Sequence, residues 1–138
     1  MLIKTLKKWQ KIEDRSAESA SEIIESTDNE FLEQIMEIIR SDSERHREVQ
    51  QLIVDSMTVR SPTLTPEELA SIWTRIEEHI DLERKMVQSV EEALDAVSGD
   101  DLVVQEYFLR YLLTDERKHD RMLADLDHIK RGMYPYGS

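Results

Sequence analysis

Apolar residues recur along this chain at the three- and four-residue spacing that places side chains on one face of an α-helix. Four long segments carry the pattern, at about residues 3–26, 27–57, 65–97 and 100–130. The inward-facing positions of the four segments are, in order, Leu6, Trp9, Glu13, Ala17, Ala20 and Ile24; Phe31, Ile35, Ile39, Val49 and Ile53; Leu69, Trp73, Ile76, Ile80, Glu83, Val87, Val90 and Leu94; and Leu109, Leu112, Leu123 and Leu126. Long helices joined by short loops predict an all-α four-helix bundle.

The short connections contain residues that begin and end helices. Thr27 opens a capping box that predicts the start of the second helix, and Thr65 does the same for the third. Gly99 predicts the end of the third helix, because glycine accepts the left-handed conformation common there. Asp100 or Asp101 is then expected to cap the fourth helix.

Polar side chains interrupt the inward face of every helix. Glu13 and Glu83 lie in the middle of the first and third helices, among apolar positions. In the second and fourth helices the interruptions are two similar histidine-bearing motifs, Ser41–His46 and Thr114–His119. In each hairpin the glutamate lies about as many residues before the loop as the histidine motif lies after it. Because every helical residue adds the same rise, we expect the glutamate and the motif at one height in the bundle. We therefore predict that five side chains converge in the bundle core: Glu13, His46, Glu83, Glu116 and His119.

Glu116 and His119 form an E-x-x-H pair, whose two side chains leave the same face of a helix. A carboxylate and an imidazole on an apolar face are costly to bury unless something satisfies them, and a metal ion is the usual partner of this pair. The alternative is that the pair lies on an exposed shoulder of the helix. Carboxylate and imidazole ligands suit iron or manganese and also accept zinc. We expect one or two ions per chain.

This arrangement resembles the ferritin-like superfamily, most nearly its small rubrerythrin-like members. That family supplies one Glu from each of two helices and an E-x-x-H from each of the other two, which together hold two iron or manganese ions. The resemblance covers about residues 4–130. It implies that Glu13 and Glu83 are the single glutamates and that Glu116 and His119 are a complete E-x-x-H. It also implies chemistry with dioxygen, peroxide or Fe(II). The chain has no cysteine and so lacks the four-cysteine electron-donor module of full rubrerythrins; peroxidase turnover would need an external reductant.

The second helix departs from the family pattern, because only His46 matches and Ser43 stands where the glutamate is expected. A serine hydroxyl is too short and too weak a donor to replace a bridging carboxylate. Asp42 and His79 are open alternatives as the replacement ligand, although Asp42 is equally expected to be a cap or surface residue. We expect one tight ion beside the third and fourth helices and a loose or absent ion beside the first two, because a dication there has fewer anionic ligands.

Length and charge limit the class of protein further. A chain of 138 residues suits one domain with its own core, over residues 1–138, with a C-terminal tail at 131–138. The net charge of -12 opposes binding to nucleic acid or to anionic membranes. The sequence shows neither the apolar run of a signal peptide nor one of transmembrane length, so we expect a soluble, cytoplasmic protein. We also expect a homodimer, because Trp73 and other apolar positions exceed the needs of one helix seam.

The connection between the second and third helices is short for the family topology. Eight residues extend at most about 28 Å, whereas a crossover along the bundle would have to span about 42 Å at helical rise. Three solutions stay open from the sequence: the second helix ends early, the third helix is exchanged with a partner chain, or the helices run up-down-up-down.

Two functions from different classes follow. The first is a metal-binding ferritin-like protein with iron-oxidising or oxygen- or peroxide-linked redox activity. The second is a non-catalytic helical interaction protein that has lost a di-metal site. Ser43, at the position of an expected glutamate, is the residue that supports this loss. Metal analysis separates the two.

Overall fold

The chain forms four long α-helices. In the computed structural model, which describes residues 1–133, they are α1 (Leu2–Ser26), α2 (Glu30–Thr58), α3 (Pro66–Val97) and α4 (Val103–Gly132). Residues 1–133 contain no strand, so the predicted all-α class with four helices is confirmed. The helix α4 extends two residues into the predicted tail, and the part of that tail at 134–138 lies outside the described residues. None of the described helices is long and apolar enough to cross a membrane.

The helices group into two units. The first hairpin contains α1 and α2 and covers Met1–Thr63, and the second hairpin contains α3 and α4 and covers Leu64–Ser138. Both are antiparallel: in the first, for example, Gln10 near the start of α1 bonds to Gln51 near the end of α2. The single domain predicted over residues 1–138 stays a prediction.

The start of α3 follows the prediction from the sequence. The Thr65 hydroxyl accepts a hydrogen bond from the backbone N–H of Glu68 at 3.1 Å, and the Glu68 carboxylate accepts one from the backbone N–H of Thr65 at 3.4 Å. This reciprocal pair satisfies two backbone donors that a helix start otherwise leaves free. The end of α3 is also as predicted, because Gly99 adopts a positive φ of 85° just after the helix.

The predicted caps of α2 and α4 are wrong. Asn29, not Thr27, caps α2, because its Oδ1 accepts from the backbone N–H of Leu32 at 3.1 Å. The Thr27 hydroxyl instead accepts from the N–H of Asn29 and so holds the preceding turn. Before α4, Asp101 lies in the turn with a φ of 55°. Leu102 occupies the cap position and makes no side-chain hydrogen bond there.

The connection between the hairpins is as short as the sequence indicated. The helix α2 continues to Thr58, and α3 begins at Pro66. An early end of the second helix is therefore excluded as the solution to the short connection. Exchange with a partner chain and an up-down-up-down order both stay open.

The first hairpin packs along most of the predicted seam of α1, with one change. On α1 the buried residues include Leu6, Ala20 and Gln10, whereas Trp9, predicted to point inward, is 47% exposed. The buried Gln10 amide donates to Gln51 Oε1 at 2.9 Å and to the carbonyl of Arg47. These bonds satisfy a polar group that would be costly to bury alone, and they fix which flank of α1 meets α2.

The α2 side of this seam follows the prediction in part, with Phe31 and Ile35 half-buried. Ser43 and Val54 are buried, whereas Ile39, Val49 and Ile53, predicted to point inward, stay about half exposed. In a hairpin, each long helix buries only one side against the other helix. Here polar contacts lie on the side that is buried. Hydrophobic periodicity alone locates an apolar face but not which edge of it meets a given helix.

The second hairpin buries Leu69, Val90 and the carboxylate-bearing Glu83 on α3. Trp73 is half-buried, with the Lys130 ammonium 4.6 Å from its ring centroid, a cation–π distance. Part of the apolar surface that led us to expect a homodimer is thus covered within the chain, and the homodimer stays a prediction.

We expect Asn29→Ala to lower the free energy of unfolding by about 1 kcal/mol, because α2 loses its capping acceptor. Asn29→Asp keeps an oxygen in place and should retain most of the stability. Thr27→Ala removes only a turn bond and should cost less than Asn29→Ala. Urea unfolding of the three variants measures this. A larger loss for Thr27→Ala would mean that α2 begins at Thr27.

Candidate metal centre

The second hairpin brings three of the predicted ligands together. Glu83 comes from the middle of α3, and Glu116 and His119 come from α4, one helical turn apart. One possible ligand atom from each of the three side chains lies within 4.8 Å of the other two. Glu83 is buried, at 8% exposure, and the two α4 residues are partly exposed. The E-x-x-H pair therefore faces a buried carboxylate from a partly exposed position, and the shoulder alternative stays open.

The two oxygens of Glu83 have different surroundings. Oε1 lies 2.9 Å from His79 Nε2 and 3.5 Å from His119 Nδ1, and the closer imidazole donates a hydrogen bond to it. Oε2 is enclosed and receives no hydrogen bond from a nitrogen or alcohol group anywhere in residues 1–133. An unsatisfied buried carboxylate oxygen is expensive. A proton or a cation next to it would remove this cost.

The pKa values of Glu83 and Glu116 move in opposite directions, which favours one proton shared between the two carboxyl groups. The pKa of Glu83 is lowered, first because Glu116 donates a hydrogen bond to it. Burial opposes this by raising the pKa, and the charge of His119 and the hydrogen bond from His79 lower it further. The pKa of Glu116 is raised, first because its proton is held in the bond to Glu83 and then because of burial and the Glu83 charge, although His119 opposes this. Two adjacent carboxyl groups cannot both ionise cheaply, and Glu116 is the member of the pair that holds a proton more tightly.

The donor set fits a divalent first-row ion. Two carboxylates and an imidazole supply hard oxygen and borderline nitrogen ligands, which iron, manganese and zinc accept. A dication would replace the shared proton, satisfy Oε2 of Glu83 and remove the repulsion between the carboxylates. Glu83, Glu116 and His119 therefore suit the metal ion that the sequence analysis predicted for them.

The first hairpin brings the other two predicted ligands together. Glu13 on α1 is largely buried, and its Oε2 lies 3.1 Å from Nδ1 of His46 on α2. The Gln50 amide donates to the same oxygen at 3.5 Å, and its own Oε1 is enclosed without a partner among residues 1–133. His46 is 62% exposed. Glu13 and His46 thus form a pair, and the described residues provide no third acidic or histidine ligand within reach.

Ser43 occupies the position that the sequence analysis gave it, but without a ligand role. It is buried, and its hydroxyl donates to the Ser16 hydroxyl at 2.9 Å. The Ser16–Ser43 contact lies one turn from Glu13–His46, as Glu116 lies one turn from His119 in the second hairpin. The position is therefore satisfied without a metal. Asp42 is exposed on α2, which agrees with a surface role.

Convergence of all five residues stays a prediction, since the structure shows two groups, one in each hairpin. Sequence reasoning missed Ser16, Gln50 and the contact of His79 with Glu83. The last had a usable signal, because histidine and glutamate four residues apart lie on one face of a helix. Ser16 and Gln50 had none, because serine and glutamine occur on many exposed helix faces.

Comparisons with known proteins add no family to this geometry: no family model matches the chain, and neither a curated protein nor a solved structure matches it.

We expect Glu116→Gln to raise the stability of the metal-free protein at pH 7. Because the folded pKa of Glu116 is raised, its protonated form favours folding, and this contribution fades as pH rises through that pKa. Gln imitates the protonated side chain at every pH. The gain over the natural protein should therefore shrink as pH falls toward 4.5, the ordinary value of a glutamate.

Thermal unfolding in chelator at several pH values measures this difference. Glu78→Gln, at an exposed position of α3, is the matched control and should show no such pH-dependent gain. A Glu116→Gln protein that is less stable than the natural one at pH 7 would contradict the shared proton.

Proposed function

We propose that the protein binds a first-row divalent transition metal through Glu83, Glu116 and His119. The observation that supports this most is the enclosed Oε2 of Glu83, which no nitrogen or alcohol donor among residues 1–133 satisfies. Acidic clusters are common on protein surfaces, but this carboxylate is buried and faces a second carboxyl group and an imidazole. Such a group is stabilised more by a dication than by any ligand the chain itself supplies.

Iron and manganese are the metals we propose, and zinc is the alternative that the same ligands accept. Glu83 and Glu116 would supply the negative charge that offsets the ion, and His119 would supply a neutral nitrogen. When bound, iron or manganese supplies one-electron chemistry with dioxygen or peroxide. The ferritin-like resemblance supports this activity class, with the protein acting in the cytoplasm as a homodimer.

The residues of this chain would serve such an ion in distinct ways. Burial of Glu83 between the helices limits the access of water to one side of the site. His119 is 42% exposed, so small molecules reach the site from its side. Reductant or oxidant would therefore approach past the α4 edge of the second hairpin.

The first hairpin supports at most a weaker ion. Glu13 and His46 provide one carboxylate and one imidazole, and Ser43 is bonded to Ser16. A dication with fewer anionic ligands is less compensated. We propose one tight ion per chain in the second hairpin and at most one loose ion in the first.

A second candidate is a non-catalytic interaction protein that has lost a di-metal site. The Ser16–Ser43 hydrogen bond favours it, because the position that would need a carboxylate is satisfied without one. Exposed apolar residues of α2, such as Val49 and Leu52, are surface that a protein partner would cover. Absence of any metal from the purified protein favours this candidate.

Metal binding should raise the melting temperature and Glu83→Gln should abolish the rise. An ion at about 100 times its dissociation constant adds roughly 2.7 kcal/mol to the free energy of unfolding, which is roughly 9 °C for a chain of this size. Glu78→Gln removes the same charge from an exposed position of α3 and should keep the rise. Differential scanning calorimetry with Mn(II), then with chelator, measures it. No shift in the natural protein would contradict the proposed function.

Ser43→Glu should create a second tight site in the first hairpin. The new carboxylate would stand one turn from His46 and across from Ser16, so the metal-free variant should be destabilised by an unpaired buried charge. Mn(II) should restore the stability, and isothermal titration should show two ions in place of one. Ser43→Gln has a similar shape without the charge and is the control. An unchanged stoichiometry in a folded Ser43→Glu protein would mean that Glu13 and His46 do not bind metal.

A further inference from the structure

A second histidine approaches the buried carboxylate from α3 itself. His79 precedes Glu83 by one helical turn, and its Nε2 lies 2.9 Å from Glu83 Oε1. His119 Nδ1, from α4, lies 3.5 Å from the same oxygen. Two imidazole nitrogens from two helices are thus directed at one carboxylate oxygen.

We propose that His79 is a ligand of the same ion, so that the second hairpin alone holds a site of two imidazoles and two carboxylates. This inference rests on the proposed function and adds to it a residue that determines which metal is preferred. The sequence analysis considered His79 only as a substitute for the ligand missing at Ser43. The structure gives it a different place, beside Glu83.

The distances from Glu83 Oε1 to the two histidines lie in the range between neighbouring ligands on one ion, and the shorter one is also that of the hydrogen bond from His79. With bonds of about 2.0–2.2 Å, adjacent ligand atoms are about 2.9 Å apart at right angles and about 3.4 Å apart in a tetrahedron. The contacts of 2.9 and 3.5 Å from Glu83 Oε1 to the two histidines agree with these values. His79 is not among the three residues whose ligand atoms lie within 4.8 Å of one another. At least one distance from His79 to a ligand atom of this set is therefore longer than 4.8 Å, and binding to the same ion requires the His79 side chain to move.

The burial of the two side chains allows such a movement. The His79 side chain is 57% exposed, so little packing opposes it, whereas the Glu83 side chain is 10% exposed. The buried carboxylate would supply the anchor, and the exposed imidazole would move onto the ion. When no ion is bound, the same imidazole satisfies Oε1 by hydrogen bonding.

The first hairpin provides an internal comparison. On α1, the position four residues before Glu13 is Trp9, which has no nitrogen lone pair to offer a metal. The first hairpin therefore lacks both the carboxylate of Glu116 and the imidazole of His79. A second imidazole shifts preference toward zinc and cobalt and away from manganese, because nitrogen ligands favour the later ions.

The chain has four histidines, so nuclear magnetic resonance of the protein with ¹⁵N-labelled histidine can follow each imidazole separately. With one equivalent of Zn(II), we expect the ring nitrogens of His79 and His119 to shift to metal-bound positions, at Nε2 and Nδ1 respectively. His46 and His128 should remain metal-free. A shift of His119 alone would overturn the role of His79 and leave the proposed function intact. No metal-bound imidazole at all would overturn the proposed function itself.

Affinity measurements on variants distinguish a ligand from a residue that only orients Glu83. His79→Ala should weaken Zn(II) binding by about tenfold or more, since even outer-sphere partners of metal ligands contribute that much, and should weaken Mn(II) binding less. His128→Ala, at an exposed position of α4, is the control and should change neither by more than about twofold. Equal losses for both metals, without a metal-bound His79 resonance, would show that His79 only positions Glu83.

Discussion

The buried carboxylate of Glu83 is the group on which the second hairpin depends. One of its oxygens is hydrogen-bonded to His79, and the other is enclosed without a hydrogen-bond partner among residues 1–133. A chain that keeps such a group on an otherwise apolar helix face loses stability unless a ligand compensates for it. The neighbouring carboxyl group and the histidines have donor chemistry that suits a divalent ion, so burial, charge and ligand type all point to the same compensation.

The two hairpins share one arrangement of helices and differ in the polar residues at its centre. Each places a glutamate from its first helix beside a histidine of its second, Glu13 with His46 and Glu83 with His119. One turn away, the second hairpin has Glu116 and the first has the Ser16–Ser43 hydrogen bond. The hydroxyl pair is neutral and self-sufficient, whereas the carboxyl pair needs a proton or a cation. The difference in metal affinity that we propose would follow from this exchange and from His79, which has Trp9 as its counterpart on α1.

The sequence predicted much of this structure and missed the rest for definite reasons. Helix positions followed from periodicity, and the Glu83–His119 pairing followed from equal distances along two helices of fixed rise. The burial of Gln10 and the contact of Ser16 with Ser43 did not follow, because both rest on hydrogen bonds that hydropathy does not register. The cap at Asn29 was missed because two candidate caps stood close together, and only the backbone path of the turn separates them.

The central claim is that one ion binds at Glu83, Glu116 and His119. Anomalous diffraction from crystals grown with Mn(II), with data on both sides of the manganese absorption edge, tests it most directly. The account predicts a strong anomalous peak per chain, within about 2.2 Å of ligand atoms from all three residues. Manganese bound only elsewhere, with Glu83 and Glu116 still hydrogen-bonded to each other, would contradict it.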